Sequence, residues 1–202
     1  MNLLQFIFGE KIFIITTFLV KAIFNFKKIK YGKNFVCKGF PVFKITNPES
    51  VIIKDNVTFV GKVDLRTREN GKIILENNSL IESSRLVSAR EGKIILGQDS
   101  QILTDCLIAG GANIIIGKRC IIGVRTVIGS SKHIINETTS FQDKKFIHSD
   151  VVIEDDCWTG VNSFINSGIN LKAKTIIGAN AVVTKNTDSN STNVGVPAKK
   201  IK

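Results

Sequence analysis

An aliphatic or small uncharged residue returns every six positions through residues 151–188, and a repeat that short restricts the chain to very few shapes. Read in sixes from Ile153, the stretch gives IEDDCW, TGVNSF, INSGIN, LKAKTI, IGANAV and VTKNTD, with Cys157, Ser163, Ile169, Thr175, Ala181 and Thr187 at the fifth positions. A unit of six is too short for a helical repeat and cannot bury its apolar residues alone, so it must stack on its neighbours. The register continues upstream as triplets of first positions: Ile53, Phe59, Leu65; Leu75, Ile81, Val87; Leu96, Ile102, Ile108; Ile116, Ile122, Ile128; Ile153, Thr159, Ile165; and Leu171, Ile177, Val183. Strand alternation of period two points first and fifth positions inward, and Gly, Asp or Asn at many intervening positions permits a corner. Three hexads then close one coil, and an all-β, triangular parallel β-helix is predicted, whose six coils at about 4.8 Å each span roughly 29 Å. Between triplets, GKII at 71–74, GKII at 92–95 and NII at 113–115 read as bulges at one common corner.

This pattern resembles the hexapeptide-repeat acyltransferases, and the resemblance alone supplies a left-handed coil, since ordinary parallel crossovers are right-handed. Tyr31 to Ile45 reads as an opening coil of looser register that covers an otherwise open β-edge. The expected organisation is an N-terminal helix over residues 1–30, a β-helix domain over 31–188 and a C-terminal tail over 189–202; the chain's 202 residues suffice for one sizeable core. Cys37, Cys106, Cys120 and Cys157 form no CxxC pair, and three of them sit at fifth positions, so they read as small buried thiols suited to a reducing cytoplasm rather than as metal ligands.

Residues 3–26 are the most apolar stretch, yet the longest uncharged run within the prospective helix, Ile12 to Val20, is far short of the ~20 residues that span a bilayer. On a helical wheel Glu10, Lys11, Thr17, Lys21, Asn25 and Lys28 gather on one side and leave a wide face of Phe, Ile and Leu. Six Lys against one Glu in residues 1–33 suit a helix lying on an anionic inner leaflet; the alternative is a helix packed on the prism or on a partner subunit, and both stay open. A signal peptide is not expected, because a short basic start and a small-residue cleavage site are missing. The net charge of +11 points to anionic lipid and a phosphate-bearing cofactor rather than to nucleic acid, for which no binding motif stands in the chain.

His133 and His148 are the only histidines, and they bracket the one long interruption of the repeat, an excursion loop near 134–150. Acyl transfer from a thioester to a hydroxyl needs a base with a pKa near neutrality, which suits histidine. The resemblance implies more. Sugar O-acetyltransferases of this family carry the catalytic His at the eighteenth position of a coil, just before such a loop, and Ile116 through His133 (IGKRCIIGVRTVIGSSKH) match in phase, so His133 is the expected base. The family's closing wording stands here as IGANAVVTK (177–185) and GVPAKKIK (195–202), which carries an acetyl-CoA site over to Val161, Ala179, Thr184, Lys185, Lys199 and Lys202. Trp158 matches a family Trp and reads as a pocket wall or a corner cover. His148 is held as an acceptor contact or a surface residue, and Asp105 as a group that orients His133 or an acceptor hydroxyl, with plain turn chemistry as its alternative. With Leu103 and Lys118 where galactoside and serine acetyltransferases carry Asn and Asp, neither acceptor is expected.

The resemblance therefore implies a metal-free, acetyl-CoA-dependent O-acetyltransferase acting on a sugar or lipid-linked saccharide in cell-surface polysaccharide synthesis, built as a homotrimer and working at the inner face of the cell membrane or free in the cytoplasm. N-acetylation of an amino sugar nucleotide and a non-catalytic scaffold are the alternatives. A carbonic anhydrase on the same fold uses three histidine ligands, and this chain has two histidines.

Overall fold

The computed structural model describes residues 11–134, 142 and 145–202. The chain folds as the predicted three-faced parallel β-helix, of about seven coils, with the Tyr31–Ile45 segment supplying the first coil. Face A runs from Lys30–Tyr31 to Asn170–Leu171, face B from Val36–Lys38 to Lys199–Lys200, and face C from Val42–Lys44 to Val182–Val183. Every coil-to-coil pair is parallel; on the three faces, the closing strand Lys199–Lys200 returns antiparallel, against Thr192–Val194.

Seventeen of the eighteen predicted first positions are buried in register; Val87 is the exception, half-buried beside a fully buried Leu86. Leu86 pairs with Leu65 on one side and Ile108 on the other, so this coil turns its B–C corner one residue early and places its inward residue at 86. The predicted bulges are corrected as well. GKII does not loop out: Lys72–Leu75 and Lys93–Leu96 are strands of face A in register with each other, and Ile73 and Ile94 point inward. The added residues lengthen the strands on both sides of the C–A corner. Gly71 closes that turn, where a Cβ would come 2.5 Å from the Ser88 carbonyl carbon in the coil above.

The corners carry residues that tolerate a left-handed backbone. Along the A–B corner Asn34, Asn56, Asn78 and Asp99 all have φ between 53° and 59°, and each Asn donates its amide to the next side chain at 3.0, 2.9 and 2.8 Å. Farther along, the ladder becomes the bidentate pair Arg119–Asp156 at 2.7 and 2.8 Å, which holds the Asp156 carboxyl below the usual carboxylate range. Inside the corner the fifth positions bond to the next coil's carbonyls: Ser100 Oγ donates to Gly117 O, Cys120 Sγ to Glu154 O and Cys157 Sγ to Lys172 O. Ser and Cys are interchangeable there because each offers one donor in a small volume. All four cysteines are free and buried, and burial pushes the Cys37 and Cys106 thiols up to about 12 and about 11.

The helix Lys11–Phe26 (α1) lies across the open end of the prism. Thr16 and Thr17 donate to Cys37 O at 2.7 and 3.1 Å, and Thr17 Oγ1 accepts from Cys37 N at 2.9 Å, so two hydroxyls stand where a further strand would pair. Phe24 is fully buried and packs on Tyr31, Phe35 and Phe43, plugging the core. Packing on the prism is therefore how α1 uses one of its sides. Glu10 of the expected polar side and residues 3–9 of the apolar stretch lie outside the described residues. Among the described residues no helix is long and apolar enough to cross a membrane.

Thr17→Val keeps the shape but leaves the Cys37 amide unpaired, which should cost about 1–3 kcal/mol in urea unfolding; an unchanged midpoint would show that the edge does not need the hydroxyl. On face C the buried Asp64 pairs with Arg66 at 2.7 Å and Arg85 at 2.9 Å, and the Arg66 hydrogen bond chiefly holds its carboxyl below the usual range. That stability is fully present above an ordinary carboxylate pKa of about 4 and is lost as pH falls through the depressed value. The stability gap between wild type and Asp64→Asn should accordingly be wide at pH 7 and close on acidification; a gap that does not narrow refutes the ionic role.

Candidate functional site

Strand Val127–Gly129 ends face C in the fifth coil, and the chain then leaves the prism. It does so as a ribbon: Ser131–His133 pairs antiparallel with Phe146–His148, matching Ser131 to His148, Lys132 to Ile147 and His133 to Phe146. The loop predicted near 134–150 thus begins and ends in an ordered β-pair, while 135–141, 143 and 144 lie outside the described residues.

Directly paired residues share a ribbon face, so Ser131, His133, Phe146 and His148 stand together and Lys132 and Ile147 turn the other way. The rings form a row, with His133 4.2 Å from Phe146 and Phe146 6.1 Å from His148, centroid to centroid. Ser131 Oγ lies 2.8 Å from His148 Nδ1 and accepts the Gly111 amide at 3.0 Å, which ties the ribbon to the C–A corner of the coil before it. A Cβ at Gly111 would stand 2.6 Å from His148 Nδ1 and 2.9 Å from Arg90 Cδ, so glycine is what lets the imidazole and the Arg90 side chain close over this corner. His148 is half-buried and held by Ser131, whereas His133 is exposed.

The other predicted residues fall elsewhere. Val161 and Ala179 are exposed at the B–C corner in successive coils, joined by Asn180 N to Val161 O at 2.9 Å and by Asn162 Nδ2 to Asn180 Oδ1 at 2.8 Å. Gly160 beneath them has its neighbour's backbone 2.5 Å from where a Cβ would sit, which keeps this corner narrow. Trp158 is exposed on face B between the half-exposed Ile121 and Ile176, so it walls a flat apolar strip and covers no corner. Thr184 and Lys185 follow the last face C strand, and Lys185, Lys199 and Lys200 line a cavity of about 270 Å³ at the C-terminal end of the prism together with Asp188, which pairs with Lys200 at 3.0 Å. The Lys202 carbonyl accepts from Thr192 N. Asp105 has φ 61° and occupies the B–C corner, the opposite edge of face C from His133, so within one chain it cannot orient that imidazole.

Two groups result: a histidine ribbon at the C–A corner, and an apolar strip with a narrow backbone corner at faces B and C, backed by lysines at the prism's end. The ribbon partners Ser131, Phe146, Gly111 and Arg90 escaped the sequence reading, although period-two alternation through SSKH would have placed Ser131 beside His133 had a strand been recognised there.

No protein-family model matches the sequence. Solved structures do match the fold. AntD, an N-acyltransferase from Bacillus cereus solved with dTDP and coenzyme A, is 22% identical with a TM-score of 0.59 over 90% of this chain and 88% of that one. The polySia-specific acetyltransferase NeuO is 22% identical, TM-score 0.54, over 87% and 80%. A hexapeptide-repeat acetyltransferase from Vibrio cholerae is 24% identical, TM-score 0.51, over 67% and 71%. At these identities what is shared is the hexapeptide-repeat β-helix.

Ser131→Ala should release His148 and the Gly111 amide together. Hydrogen exchange at Gly111 is then expected to quicken by about tenfold or more, the loss of one partly buried hydrogen bond, without change in the exchange of the face A strands; equal protection at Gly111 would mean that the ribbon is held in another way.

Proposed function

We propose that the protein is an acetyl-CoA-dependent O-acetyltransferase that modifies a sugar hydroxyl in cell-surface polysaccharide synthesis, with His133 as general base. The observation that carries this reading is an exposed imidazole packed at a tilt against Phe146 at the root of a ribbon anchored to a rigid prism, on a fold shared with the acyltransferases AntD and NeuO. His133 takes the proton of the acceptor hydroxyl as its oxygen adds to the thioester carbonyl. The C–S bond then breaks, and the imidazolium returns the proton to the departing thiolate. Val161 and Ala179 would flank the pantetheine arm, whose amides can bond to the exposed corner backbone, and Thr184, Lys185, Lys199 and Lys202 would face the cofactor's phosphates.

The separation of the two groups supports a homotrimer in which one subunit's His133 meets its neighbour's cofactor corner. Trp158, with Ile121 and Ile176, would then wall the cleft. His148 and Asp105 are proposed acceptor contacts, Asp105 acting from the neighbouring subunit. A lipid-linked saccharide as acceptor gives the enzyme a reason to work at the inner face of a membrane. The N-acyltransferase AntD favours a second reading, acylation of an amino sugar nucleotide, and offering hydroxyl and amino acceptors side by side separates the two.

His133→Ala should lower turnover about 10²- to 10⁴-fold with acetyl-CoA affinity nearly unchanged, the scale expected of a lost general base, and His148→Ala far less. Lys185→Ala should instead raise KM for acetyl-CoA with a smaller effect on kcat, because a phosphate contact is made equally in ground and transition states. Full activity of His133→Ala on a verified acceptor would sink the mechanism, and a monomer in sedimentation would remove the shared site.

A further inference from the structure

The outer side of α1 is not the polar surface a capping helix should show the solvent. Turning away from Thr16, Val20 and Phe24, which face the prism, are Ile14, Ile15, Phe18, Leu19, Ala22, Ile23 and Phe26, with Ile14 73%, Phe18 70% and Phe26 88% exposed. Among residues 14–26, Asn25 is the one polar side chain on that arc. Isolated exposed apolar residues are ordinary, but a contiguous wall of them marks a contact surface.

The charge around the wall selects its occupant. Residues 11–48, which make up α1 and the first coil, contain eight lysines and no Asp or Glu. Lys27, Lys28, Lys30, Lys33, Lys38 and Lys44 are all exposed at this end of the prism. A second copy docked here would press one acid-free lysine collar against another, whereas an anionic bilayer satisfies both the apolar wall and the collar. We propose that α1 docks the prism end-on to an anionic phospholipid membrane, its outer side entering the headgroup boundary and the lysines of the first coil meeting lipid phosphates.

This goes beyond the acyltransferase reading and does not depend on it, so the test needs no acceptor. The full chain is mixed with vesicles of 30% phosphatidylglycerol in phosphatidylcholine, or of phosphatidylcholine alone, and sedimented at low and at physiological salt. Wild type should bind the anionic vesicles and not the neutral ones. Phe18→Glu should weaken partitioning by at least about tenfold, the scale of one large apolar side chain removed from the interface. Lys27→Gln with Lys28→Gln should weaken it about fivefold per lysine and flatten the salt dependence. Both variants should keep the wild-type circular dichroism and acetyl-CoA affinity, since neither touches the core or the cofactor residues. Equal binding by Phe18→Glu and wild type overturns the proposal. So does a wild type that ignores vesicles but doubles in mass with concentration while Phe18→Glu does not, which would assign the wall to a second copy.

Discussion

No coil of this protein can bury its own side chains, so the structure depends on the contact between one coil and the next. Each turn of about 4.8 Å places an inward residue directly on the one before it: Leu75 on Ile53, Leu96 on Leu75, Ile116 on Leu96, Ile153 on Ile116. Backbone hydrogen bonds run along the prism axis with the same repeat. Stability in such a stack is close to a sum over neighbouring pairs, which makes its two ends the places where the sum fails. The chain spends special chemistry at both. At one end two threonine hydroxyls and Phe24 close the first coil, and at the other an antiparallel return strand covers face B.

The same contact explains what the sequence made legible. A period of six is imposed by three flat faces, so first positions could be read almost without error, and so could the small fifth positions, where volume and one hydrogen-bond donor matter more than residue type. The error at Val87 arose because coil length is not fixed: the third coil shortens at one corner and lengthens at the next, and counting in sixes cannot follow a compensated slip. The misread GKII segments have the same origin. They continue an inward ladder, Val51, Ile73, Ile94, Ile114 and Val151, that a hexad count does not contain.

The site was legible in its parts and not in its arrangement. His133 stood out because it ends a coil at the sole large interruption, yet nothing local states that the chain on both sides of it is extended, so its ring neighbours Phe146 and His148 were not paired with it. Asp105 looked suggestive by sequence distance alone. In a prism, sequence distance becomes an address on one of three edges, and Asp105 and His133 have different addresses. Val161 and Ala179, eighteen residues apart, share an edge because no residues intrude between their coils.

An address along the prism matters as much as one around it. The histidine ribbon leaves the fifth coil, four strand spacings or ~19 Å from the coil that α1 covers. The Thr16 and Thr17 bonds to the outward backbone of Cys37 set α1 across the axis, so its apolar wall looks away from the prism along that axis. A bilayer meeting that wall would therefore lie about three nanometres from His133, because the ~10 Å thickness of α1 adds to the coil spacings, and that is farther than a sugar joined directly to a lipid phosphate reaches. Under the proposed acetyltransferase reading, the acceptor that would satisfy both ends of the molecule is then a saccharide several residues long, presented by its distal units, or a free sugar.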